Sequence, residues 1–83
     1  MKVVLEHVSG TAKNNLQRAK VEMNRVLDFR GSITSVKAKD TRIIVQLEIN
    51  PQWDLPMDEK VSYLKEWITA KVKVVFKVVR VSS

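Results

Sequence analysis

Arg42-Ile43-Ile44-Val45-Gln46-Leu47-Glu48-Ile49 places Ile43, Val45, Leu47 and Ile49 at alternating positions. This period-two pattern marks a strand with one buried face and one open face. Lys39-Asp40-Thr41 immediately before it carries turn chemistry, so residues 29–38 read as its hairpin partner. The partner is less regular. Ile33 and Val36 have opposite parity, which predicts a bulge or an edge position.

Outward from this hairpin the period changes to that of a helix on both sides. Ala12, Leu16, Ala19, Met23, Val26 and Leu27 form one apolar stripe, with Thr11 as N-cap. After the loop Asn50–Pro56, acidic Asp58 and Glu59 open a second helix, which is expected to run to about Ala70 with Met57, Val61, Leu64 and Ile68 inward. Valine-rich stretches at 2–8 and 72–81 complete the chain as strands. The order is β-α-β-β-α-β over a single domain, residues 1–83, without linker, repeat or low-complexity segment. At the level of architecture this resembles a ferredoxin-like α+β sandwich. That resemblance implies a four-stranded antiparallel sheet in the order 4-1-3-2, with two helices on one face.

Composition removes several chemistries. The chain has no cysteine and one histidine, His7, so thiolate zinc sites and nucleophile–histidine pairs lack their members. Asp54, Asp58 and Glu59 cluster where helices favour acids and lack calcium-loop spacing. Ser9-Gly10-Thr11-Ala12-Lys13 joins a strand to a helix N-terminus, as a phosphate loop does, but has no P-loop or dinucleotide pattern. The acylphosphatases, which share the architecture, bind phosphate at the corresponding loop. No arginine and no match to their motif occurs here. The expectation is a protein that is not an enzyme and takes no metal or cofactor. No apolar run is long enough for a membrane span, and Glu6 and His7 interrupt the apolar start where a secretory signal would continue. The chain therefore reads as cytoplasmic, or as lying in a host cytoplasm if viral. Its size and lack of family signature fit a phage protein.

Strand parity then defines the surfaces left for partners. With Val3, Leu5, Ile43, Val45, Leu47, Val74 and Phe76 inward, the open sheet face is expected to hold Lys2, Val4, Glu6, Val8, Arg42, Ile44, Gln46, Glu48, Lys73, Val75, Lys77 and Val79. Val4, Ile44, Val75 and Val79 would make an aliphatic patch, and the leading expectation is a small binding protein, an adaptor or inhibitor, that uses this patch for another protein or for a second copy of the chain in an oligomer. Trp53, in a polar loop, is a further interface candidate, the rival being a plug for one end of the core. Phe29 and Phe76 are expected near the core.

The formal charge of +6 offers a second reading, nucleic-acid binding. Asn14, Gln17, Arg18, Asn24 and Arg25 lie on the outer face of the first helix with Lys13 on its shoulder, and Lys73 and Lys77 belong to the basic last strand. Use of the first helix in this way is similar to the dimeric DNA-binding domains of the papillomavirus E-two type, whose residue motifs are not present. The stacking mode of RNA-recognition modules is disfavoured, because the central strands offer Val4, Glu6, Ile44 and Gln46 where that mode needs aromatics. A designed scaffold without natural activity is a third reading; the seven-residue loop and irregular second strand argue against it.

Overall fold

The computed structural model describes residues 1–8, 10–73 and 75–82. Its strands are β1 (Lys2–His7), β2 (Gly31–Lys39), β3 (Arg42–Ile49) and β4 (Phe76–Ser82). Its helices are α1 (Leu16–Leu27) and α2 (Met57–Val72), with short 3-10 turns at Lys13–Asn15 and Asp28–Arg30. The strands form one antiparallel sheet in the order β2-β3-β1-β4. Read from the other edge, this is the order expected.

Both helices pack on one sheet face around a single core. Val3, Leu5, Ile43, Val45, Leu47 and Phe76 meet Ala19, Met23, Val26 and Leu27 of α1 and Leu64, Ile68 and Val72 of α2. Truncating one of the buried leucines, isoleucines or Met23 to alanine would cost about 2–5 kcal/mol. Thr11, expected as the N-cap of this helix, instead caps the 3-10 turn that leads into α1, its Oγ1 accepting the Asn14 N–H at 3.2 Å, whereas α1 itself starts after Asn15 without a side-chain cap. Gly10 just before Thr11 has φ +85°, a conformation that L side chains rarely adopt.

The parity conflict in β2 resolves as a bulge on an edge strand. The pairing with β3 shifts between Ile33 and Ser35, leaving Thr34 as the extra residue. Ile33 and Val36 consequently both pack against the core. A second bulge, unmarked in the sequence, lies in β4. There the register passes from Val78 opposite Leu5 to Arg80 opposite Val4, so Val79 is surplus.

Four further expectations need correction. Helix α2 continues through Val72, which is buried, so β4 begins only at Phe76. The inward stripe of α2 is Lys60, Leu64, Ile68 and Val72, whereas Met57 is 53% exposed. Lys60 is buried because loop residue Trp53 folds back toward it, the ammonium standing 6.0 Å from the indole centroid. Phe29 is 57% exposed, since Asp28 ends α1 at φ 52° and the chain leaves the core there. The expectation for Val74 lies outside the described residues, as does Ser9 of the strand–helix loop.

Candidate functional site

Alternation and the two bulges together decide what the open sheet face carries. Inward Val3, Leu5, Ile43, Val45 and Leu47 leave their neighbours on the far side, and cross-strand pairing aligns those neighbours in rows. One row runs Lys39, Arg42, Glu6, Lys77. The next runs Lys37, Ile44, Val4, Arg80, and a third runs Ser35, Gln46, Lys2, Ser82. Without the β4 bulge Arg80 would point at the core. Without the β2 bulge either Ile33 or the run Val36, Lys37, Lys39 would have the wrong face.

The face therefore holds six cations: Lys2, Lys37, Lys39, Arg42, Lys77 and Arg80. Its acids are Glu6 and Glu48, with Asp40 in the hairpin turn at the rim. Six cations against these three acids leave it three of the six net positive charges of the chain. Glu6 is engaged by Arg42, Nε to Oε1 3.6 Å, in a half-exposed pair that contributes little to stability. Among the described residues no ion pair holds Lys37, Lys39, Lys77 or Arg80, which stand on the two edge strands. Between them, Lys2, Val4, Glu6, Arg42, Ile44 and Arg80 line a shallow depression of about 420 Å³ that extends to the Lys39–Thr41 turn.

The aliphatic patch is smaller than expected. Val4 and Ile44 are direct cross-strand partners on the open face, and Val4 is only 4% exposed among its long neighbours. Val75 is not on this face: it lies in the turn before β4, packs against the core and accepts the Val8 N–H at 2.9 Å. Val79 is the bulge residue and has no partner in the β1 register. Lys73 also leaves the sheet; it caps α2 and borders a depression with Lys65, Glu66 and Thr69. Of the two lysines expected together, only Lys77 is on the open face.

The outer surface of α1 is on the opposite layer. Lys13, Asn14, Gln17, Arg18, Asn24 and Arg25 are exposed there, Lys13 and Asn14 within the 3-10 turn. Arg25 is committed to Glu22 at 2.7 Å. These residues and Lys77 cannot contact one ligand segment from the same side.

Trp53 belongs to a cluster that sequence reading did not assemble. Its ring meets Tyr63 edge-on at 5.4 Å, and Tyr63 stacks on Trp67 at 6.0 Å. The Arg30 guanidinium lies 4.4 Å from the Trp67 centroid, 4.6 Å from Phe29 and 5.5 Å from Tyr63, and donates to Tyr63 Oη at 3.2 Å. Lys71 covers Trp67 at 4.5 Å. Trp67 Nε1 donates to the Val26 carbonyl at 2.9 Å, tying α2 to the end of α1. Asn50 completes the closure by donating to the Phe29 carbonyl at 3.0 Å. Trp53 and Trp67 both pack against the core, so the cluster closes one end of the sandwich. The i, i+4, i+8 spacing of Tyr63, Trp67 and Lys71 was the available signal; Arg30 had none.

No family model, curated protein or solved structure matches the chain. Among the described residues no helix is long and apolar enough to cross a membrane.

Proposed function

We propose that the chain is a ferredoxin-like, non-enzymatic binding domain whose open sheet face holds the phosphate backbone of a nucleic acid. The observation that carries this reading is the set of six cations in three adjacent cross-strand rows. Such a face attracts phosphates, and each neutralised phosphate releases counterions. The same charges oppose stacking of this face on a second copy of the chain, since each copy would bring six cations to the contact. With Val75 packed against the core and Val4 only 4% exposed, little of the expected aliphatic patch remains to offset that repulsion.

The α1 surface supports the reading less well. It is convex, and one of its two arginines is held by Glu22. The test is an anisotropy titration of labelled nucleic acid. Raising salt from about 50 to about 200 mM should weaken wild-type binding by about 10²–10³-fold if four to six phosphates are neutralised. Lys77→Glu with Arg80→Glu should abolish binding, and Arg18→Glu with Arg25→Glu should leave it largely intact. The reverse result moves the site to α1. No binding at low salt removes the nucleic-acid reading.

A further inference from the structure

We infer that the nucleic acid held by this face is a duplex, gripped by both of its backbones. The inference rests on the nucleic-acid reading above and concerns how the same cations are distributed. Lys37 and Lys39 stand on β2, and Lys77 and Arg80 on β4, the two edges of the sheet. Three inter-strand steps separate those edges, about 14 Å at the usual strand spacing. Long flexible side chains on ridges that far apart reach both phosphate chains bordering a groove about 6 to 12 Å wide.

The strip between the ridges supports the same assignment. Its floor is the Val4–Ile44 pair, and its two central cations are Lys2 and Arg42, the latter engaged by Glu6. Of the five face cations outside the Arg42–Glu6 pair, four thus stand at the margins, where two backbones would run. A single strand lying along the sheet would use one ridge and leave the other solvated. Unpaired bases would also need aromatic platforms, and β1 and β3 offer Val4, Glu6, Ile44 and Gln46 instead. The rings of Trp53, Tyr63 and Trp67 are at the helix layer and already cover one another or carry Arg30 and Lys71. Recognition by such a face is independent of sequence, because phosphates carry no base identity.

The deciding experiment compares a labelled duplex with each of its component strands, using anisotropy at several salt concentrations and circular dichroism to confirm folding. The duplex should bind at least about tenfold tighter, with a log–log salt slope between about −3.5 and −5.5, as four to six phosphate contacts require. Lys37→Ala with Lys39→Ala, and separately Lys77→Ala with Arg80→Ala, should each reduce the duplex slope by about 2. Equal or tighter binding of single strands overturns the duplex assignment while keeping the nucleic-acid reading. A slope altered by only one of the two pairs overturns the two-ridge grip. Absence of binding to every probe removes the underlying reading itself.

Discussion

Replacing Trp67 with phenylalanine tests whether the aromatic–cation cluster closes the core or serves as a contact surface. The substitution keeps a ring at the site and removes three things. The first is the Nε1–H bond to the Val26 carbonyl at 2.9 Å. That bond is half-buried and caps the last turn of α1, so its loss costs about 1 kcal/mol. The second is the area difference between indole and benzene, roughly 40 Å² here, or about 1 kcal/mol. The third is the stronger face of indole toward Arg30 at 4.4 Å and Lys71 at 4.5 Å. A phenyl ring retains part of that attraction, so about 0.5 kcal/mol is lost. The sum is about 2.5 kcal/mol, which lowers the melting temperature of a domain this size by roughly 10–20 °C. Thermal and urea unfolding followed by circular dichroism measure both quantities. A double-mutant cycle with Arg30→Ala should show a coupling of about 0.5–1 kcal/mol. Nucleic-acid affinity should be unchanged in folded protein. A loss below about 0.5 kcal/mol would refute the stability assignment, and lost binding in a stable variant would make the cluster part of the site.

Other consequences follow from single positions. Glu6→Gln removes the acid beside Arg42 and should tighten polyanion binding at low salt, an effect that fades as salt rises. Val75→Glu should destabilise the domain by about 1–3 kcal/mol, because the side chain packs on the core and cannot keep its hydration. Ile44→Glu, on the open face, should instead weaken binding with a small change in stability, and wild type should sediment as a monomer. Gly31→Ala would set a Cβ 2.6 Å from the Glu48 carbonyl oxygen, so urea unfolding should show a loss of about 1–3 kcal/mol.

Much of the fold was legible because its signals are local. The stripe of α1, the alternation of β3 and the Lys39–Thr41 turn each state their structure within one window. Even the β2 bulge announced itself, since Ile33 and Val36 conflict only if the strand is regular. The β4 region was illegible for a related reason. Residues 72, 74, 75, 78, 79 and 81 are all valine, so apolar side chains occur at both parities and no alternation reveals the surplus Val79. The helix end was hidden by the same run, because Val72 suits a helix stripe and a strand equally. Burial of Lys60 depends on Trp53 folding back from a loop, and exposure of Phe29 depends on the backbone at Asp28. Neither is a property of a short window.

The candidate site was hardest to read because its charge is scattered along the chain. The thirds 1–28, 29–56 and 57–83 carry +2, +1 and +3, and the one local excess, Lys71, Lys73, Lys77 and Arg80, divides between two surfaces on folding. Lys71 turns to Trp67 and Lys73 caps α2, whereas Lys77 and Arg80 join residues 35 or more positions away. A sheet collects every second residue from each strand, so a modest excess in sequence becomes a dense one in space. The bulges refine this collection. Thr34 keeps Lys37 and Lys39 outward, and Val79 turns Arg80 outward while Val81 packs inward. Deleting Val79 therefore makes a sharp test of the register. The shortened strand would still set Arg80 opposite Val4, and binding should survive at some cost in local twist. Were Val79 instead a regular strand residue, Arg80 would already face the core, and the deletion would reverse every following side chain, release Arg80 to the open face and raise both stability and binding. Circular dichroism and the duplex titration on the same sample separate the two.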